Sequence, residues 1–166
     1  VLKEYQGITL IENPYYATCN NISSLYVARD YLENAIILDG DQIIHNERIL
    51  TSEFCQSGYN SVWTLEETDE WLQTVKDGIV TACSRVGGKC GWQLYSISRW
   101  TAEDGRKLKK HLELEFEQKH HTQIYWDDIV MFCHSEEYQL GIFEMQSADV
   151  IEIDSLEELI SLDNGY

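Results

Sequence analysis

The stretch NNISSLYVARDYLENAIILDGDQII, residues 20–44, decides how the rest of the chain is read. Its first half repeats apolar side chains at helical spacing: Ile22, Leu25, Tyr26, Ala28 and Leu32. Asn21 or Ser23 stands where a helix cap belongs, so a helix is expected from Asn20 to Leu32. Ala35 to Leu38 then forms a continuous apolar run, too short for a helix and typical of a strand covered on both faces. The run stops at two aspartates, Asp39 and Asp41, separated by a glycine.

Upstream, Ile8 to Glu12 reads as a strand closed by the Asn13-Pro14 turn signal. Strand, helix and strand in that order predict parallel pairing through a crossover helix. Downstream, YNSVWTL alternates as a strand does, and GIVTACSRVGGKCGWQLYSISRW carries two or three short strands split by a turn at Gly87-Gly88. Residues 101–119 read as a charged amphipathic helix with Leu108, Leu112 and Phe116 on one face. The segment ending VIEID predicts a last strand running to Asp154, followed by a final helix. The expected fold class is α/β: a mixed, mainly parallel Rossmann-like sheet flanked by helices. With 166 residues, 43% of them hydrophobic, residues 1–166 read as one domain with one core of ordinary size.

Charge narrows the partners. Twenty-nine acidic against twelve basic side chains give a formal charge of -17, which repels phosphate backbones and argues against nucleic acid. No apolar run approaches the roughly 20 residues that span a bilayer, and nothing resembles a signal peptide, so no membrane partner and a cytoplasmic location are expected. Five cysteines at wide spacings, an odd number without a CxxC pair, read as reduced and mostly buried thiols. The adjacent His120 and His121 make a poor chelate and read as surface histidines.

In open α/β sheets, ligands gather beyond the carboxyl ends of the parallel strands. Asp39 and Asp41 occupy such a place, and carboxylates crowded together invite a divalent cation. Asp154 ends a second apolar strand, where it either caps the following helix or joins the same cation. Aromatic residues recur beside acids at Glu70-Trp71, Trp92 with Tyr95, and Tyr125-Trp126-Asp127-Asp128. Singly each reads as core. Together they could box a quaternary ammonium, whose charge is attracted by ring faces.

The succession ENPYYATCNNISSLYVARDYLENAIILDGDQII, TDEWL, GWQLYS, IYWDD and EIDSLEEL, in this order, resembles the bacterial CTP:phosphocholine cytidylyltransferases of the sugar-nucleotidyltransferase-like superfamily. The resemblance runs over nearly the whole chain. It implies Asp41 and Asp154 as the catalytic, Mg²⁺-binding pair, with Asn20, Asn21, Ser24 and Asp39 on the nucleotide. It implies Trp71, Tyr95, Tyr125, Trp126, Asp127 and Glu152 around the substrate amine. The implied reaction transfers CMP from CTP to phosphocholine; the alternatives are 2-aminoethylphosphonate or another small phosphorylated amine, or a non-catalytic remnant of the fold.

One part of the pattern is lacking. The family opens with a glycine-rich G-x-G-x-R loop and a lysine that hold the triphosphate, and no such segment occurs here. An N-terminally truncated domain, short of the first βαβ segment by about seventy residues, is the expectation. Oligomeric state is not legible.

Overall fold

The computed structural model describes residues 6–153 and 155–162. Helix α1 (Ile22–Val27) is followed by a 3₁₀ turn at Arg29–Tyr31, strand β1 (Ala35–Ile37) and strand β2 (Gln42–Ile44). Then come β3 (Gly58–Thr68), β4 (Leu72–Lys76), β5 (Ile79–Ser84) and the long β6 (Gly88–Trp100). Helix α2 (Ala102–Leu112) widens into π-helical turns at Glu113–Gln118, and a second π-helical stretch spans Ile129–Cys133. Strands β7 (Gly141–Glu144) and β8 (Val150–Glu152) and helix α3 (Leu156–Leu162) complete the described chain.

The main sheet runs β1-β6-β3-β7-β5-β4, and β4 also reaches β6, so the order closes on itself. It is mixed, as the sequence predicts. Among the described strands the parallel pair is β3 with β7, while β1–β6, β3–β6 and β4–β5 are antiparallel. Hairpin chemistry explains part of this: Asp77 and Gly78 both take positive φ (51° and 80°), the geometry that joins two antiparallel strands in two residues. Gly87-Gly88 is a turn, but it does not close a hairpin, because β5 and β6 lie on either side of β4.

Two expectations change. Residues 8–12 form no strand, and Ile8, Leu10 and Ile11 are exposed. The predicted parallel crossover into β1 is therefore not formed; β1 pairs antiparallel with β6, Ala35 opposite Trp100, and sits at an edge rather than covered on both faces. The five cysteines are all free, as expected, but Cys55 and Cys90 are exposed and the other three only partly buried. A small thiol stays where its strand or loop puts it when no bond draws it inward.

The core lies where α1 and α2 meet the sheet. Leu108, Leu112 and Phe116 form the predicted apolar face and pack with Ile22, Leu25, Tyr59, Trp100 and Trp126. Thr101 caps α2 by accepting from the Asp104 N–H at 3.2 Å. A second cluster, Ile49, Ile97, Met145 and Val150, fills the other face, beside a buried Arg99 that donates to Asn60 and to the carbonyls of Ile49 and Thr51. At the end of α2 the buried Glu115 accepts from Lys119 (2.7 Å), His121 (2.7 Å) and His134 (2.8 Å). Both His120 and His121 are exposed, as expected; His121 also reaches the buried Glu115, and His120 takes φ 57°. No helix among the described residues is long and apolar enough to cross a membrane.

Gly105 sets the seating of α2 on the chain near Leu32, because a Cβ there would stand 2.1 Å from the Leu32 carbonyl oxygen. In an open helix Gly→Ala gains about 1 kcal/mol. Here Gly105→Ala is expected instead to cost about 1–3 kcal/mol through overpacking. Urea unfolding checks this; an unchanged or raised midpoint would show that the close approach does not constrain the helix.

Candidate active site

The carboxyl end of β1, the middle of β6, the end of β8, the start of β4 and the turn at residues 125–128 converge on one cleft. A cavity of about 220 Å³ there is lined by Asn21, Asp39, Glu70, Trp71, Leu94, Ser96, Tyr125, Asp127 and Glu152. Four of these are carboxylates, and none of the lining side chains is basic. Trp71 and Tyr125 stand at right angles as two walls, ring centroids 6.0 Å apart and planes at 84°.

Each wall is braced from behind. Asp128 accepts from the Tyr125 N–H at 2.9 Å and, through its other oxygen, from Arg85 Nε at 2.7 Å. The Arg85 guanidinium lies 3.6 Å over the Phe132 ring and 5.8 Å from that of Trp71. The floor is Asp127, buried, whose carboxylate accepts from Tyr59 Oη at 2.8 Å. Burial pushes the Asp127 carboxyl up to about 7; the nearby Asp39 adds to this, and the Tyr59 hydrogen bond opposes it. Asp39 is raised as well, first by burial and further by Asp41 and Glu152, against a stabilising hydrogen bond from Ser96. Two neighbouring acids that resist ionising together make a site that gains from an incoming positive charge.

A second cavity, about 310 Å³, adjoins the first and shares Asn21 and Asp39 with it; Ser24, Ile37, Gly40 and Trp126 are among its other walls. Asn21 sits at the junction, its side-chain oxygen accepting from the Trp126 N–H at 2.9 Å. Of the residues expected on the nucleotide, Asn21, Ser24 and Asp39 meet here. Asn20 does not line either cavity: its side chain accepts from the Asn21 N–H (2.7 Å) and donates to the Gln123 carbonyl (3.3 Å).

Of the residues expected around the amine, Trp71, Tyr125, Asp127 and Glu152 come together. Trp126 does not reach that cavity. It is 2% exposed, stacked on Tyr59 at 5.9 Å, and belongs to the core and to the wall of the second cavity. Tyr95 does not line the cavity: its neighbours Leu94 and Ser96 do, and by strand alternation Tyr95 packs against the second core cluster. Its hydroxyl, raised first by burial, is still close enough to Glu152 and Glu70 for their charge to raise it further. Ser96 went unrecognised in the sequence, where only its alternation with Leu94 could have marked it.

Asp41 is exposed in the turn between β1 and β2, near enough to Asp39 to raise it. Strand β8 pairs with β2, Glu152 opposite Gln42, and the Ile153 N–H donates to the Asp41 carbonyl at 2.9 Å. Asp154 lies outside the described residues. The helix that follows is capped by Ser155, whose hydroxyl accepts from the Glu158 N–H at 3.3 Å.

No protein-family model matches the chain. It is 30% identical over 166 residues to the 2-aminoethylphosphonate cytidylyltransferase of Lancefieldella rimae, covering 99% of this chain and 67% of that one. It is 27% identical to the choline-phosphate cytidylyltransferase of Streptococcus pneumoniae, covering 98% of this chain and 70% of that relative. The solved CTP:phosphocholine cytidylyltransferase of S. pneumoniae superposes with a TM-score of 0.85 at 27% identity, over 98% of this chain and 71% of the other. With that fold, and with that identity to a relative of which it spans two thirds, the chain belongs to the cytidylyltransferase family that includes the 2-aminoethylphosphonate and choline-phosphate enzymes.

Proposed function

We propose that the protein transfers CMP from CTP to phosphocholine, giving CDP-choline and pyrophosphate. The observation that carries this reading is the cavity walled by Trp71 and Tyr125 over Asp127 and Glu152. Crossed aromatic faces attract a cation that has no hydrogen to donate, and buried carboxylates supply the opposite charge. The phosphate of such a substrate would point out of the acidic cavity toward the neighbouring one, where Asn21, Ser24 and Asp39 offer hydrogen bonds to a nucleoside.

The reaction needs no covalent intermediate. A phosphate oxygen of phosphocholine attacks the α-phosphorus of CTP, and pyrophosphate leaves from the opposite side. The chain's part is to hold two mutually repelling anions in line, which it does by gripping each at its uncharged or cationic end. The donor set at the β1–β2 turn, Asp41 beside the half-buried Asp39, is all oxygen, and the end of β8 leading to Asp154 is tied to Asp41. Such a set fits Mg²⁺: Asp41 would hold it, with Asp154, outside the described residues, as the second ligand implied by the family resemblance, and the ion would supply charge neutralisation at the phosphates.

A second reading takes 2-aminoethylphosphonate as the acceptor. The four carboxylates around the cavity favour it, since a primary ammonium donates hydrogen bonds that a trimethylammonium cannot. Comparing kcat/KM for the two acceptors by pyrophosphate release decides between them, and failure of both overturns the assignment.

Asp41→Asn is expected to lower kcat by about 10²-fold or more, the scale of losing one charge-stabilising group, with the circular dichroism spectrum unchanged. Turnover near the wild-type rate would refute the role of Asp41. Trp71→Ala should raise KM for phosphocholine by roughly 2- to 30-fold, the range of one cation–π contact, and leave KM for CTP within about twofold. Equal effects on both would remove the aromatic wall from amine binding.

Asp127 gives a pH signature. In the free protein its carboxyl keeps a proton until about pH 7. A bound ammonium favours the ionised form, so acceptor affinity should strengthen as pH rises through about 7 and level off above it; Asp127→Asn should flatten that profile. The same raised pKa makes the free protein lose stability as pH rises from about 4 to 7, because the native carboxyl must give up a proton it holds more tightly than the unfolded chain does. Asp127→Asn, whose amide oxygen can still accept from Tyr59, should therefore unfold at a higher temperature than wild type at pH 8 without ligand. A lower melting temperature would contradict this account of Asp127.

A further inference from the structure

Away from the cleft, α2 and the segment after the second π-helical stretch bring His111, His134 and Glu137 together, with one possible ligand atom from each within 4.8 Å of the others. We infer that these three residues form a transition-metal site, best suited to Zn²⁺, that ties α2 to residues 134–137.

The ligand set is the first argument. Two imidazoles and one carboxylate suit zinc and its neighbours, whereas Mg²⁺ prefers oxygen alone. His111 Nε2 lies 3.3 Å from one Glu137 oxygen, and His134 Nδ1 lies 3.4 Å from the other. Ligands bound at about 2.0 Å in a tetrahedron stand about 3.3 Å apart, and each histidine already stands at about that distance from one of the two Glu137 oxygens.

The outer nitrogens are the second argument. His111 Nδ1 meets Tyr138 Oη at 2.7 Å, and His134 Nε2 meets the fully buried Glu115 carboxylate at 2.8 Å. Both partners can accept a hydrogen bond from the outer nitrogen, so each inner nitrogen is able to turn its lone pair to a cation in place of the proton it shares with Glu137. Buttressing of this kind orients metal-ligating histidines in general. Both histidines are buried, while the side chain of Glu137 is half exposed and leaves a side open to solvent for the ion and a water ligand. The rings now lie face to face, centroids 3.8 Å apart and planes within 4°. Binding opens this stack by rotation about the Cβ–Cγ bonds until both lone pairs reach one point.

The site shares no residue with the Trp71–Tyr125 cavity, its proposed role is to tie α2 to residues 134–137, and its test does not depend on the cytidylyl-transfer reading. The chain, stripped with chelator and held in excess Mg²⁺ to occupy oxygen sites, is titrated with Zn²⁺ by calorimetry, and with Co²⁺ by visible absorption. One equivalent is expected, with intense tetrahedral Co²⁺ bands and a melting temperature that rises with Zn²⁺ concentration. Glu137→Gln, at an exposed position, should weaken binding by at least the roughly 10-fold that even an outer partner contributes, and His134→Gln should abolish the Co²⁺ bands. Absence of saturable binding to the wild-type chain, or affinity unchanged in the folded Glu137→Gln variant, overturns the site and leaves the cluster as a proton-held ion pair.

Discussion

The hydrogen bond from Tyr59 to Asp127 joins the two halves of the cleft. Tyr59 belongs to β3, whose pairings with β6 and β7 place it at the middle of the sheet, and it is fully buried between Trp100 and Trp126. Asp127 belongs to the turn that carries Tyr125 and leads into the π-helical stretch. A buried hydroxyl and a buried carboxyl each cost free energy unless paired, so each holds the other in place. Through this bond the aromatic stack of the core fixes the height of the cavity floor, and the turn's remaining residues follow: Asp128 toward Arg85, Tyr125 toward Trp71.

Gathering Asp39, Asp127, Glu152 and Glu70 around one cavity is unfavourable in the free protein. The Asp127 carboxyl is raised first by its burial and then by Asp39, and a cation entering the cavity would offset both. The surplus of acid across the chain deepens the same potential. In the function proposed above, two anionic reactants are joined and the acidic cavity takes one of them by its cationic end. Among the described residues no glycine-rich phosphate loop occurs, and Gly87-Gly88 serves to pass the chain across β4.

Local signals were legible where the sequence alone carried them. The helix at α1 and the apolar face of α2 follow from periodicity, and the strand at Ala35–Ile37 with the acids beyond it follows from its apolar run; the expected cap of α1 does not form, because the Asn21 oxygen accepts from the Trp126 N–H and the Ser23 hydroxyl donates to the Asn20 carbonyl. Residues 8–12 form no strand because apolar side chains before a turn signal mark a segment able to pair, while pairing needs an available edge. The resemblance implies Tyr95 and Trp126 at the amine site, but neither lines that cavity. The strand's two-residue period turned Tyr95 to the opposite face, and the core claimed the large ring of Trp126. Neither outcome is written in the residues themselves.

The sequence by itself determined an acidic α/β chain with carboxylates at strand ends and aromatics beside acids, because those features depend on neighbours a few positions apart. Which aromatics face which acids, the antiparallel partner of β1, the proton held by Asp127 and the meeting of His111 with His134 and Glu137 were decided only by the tertiary structure. Each depends on groups brought together from distant parts of the chain, and on the water their packing excludes.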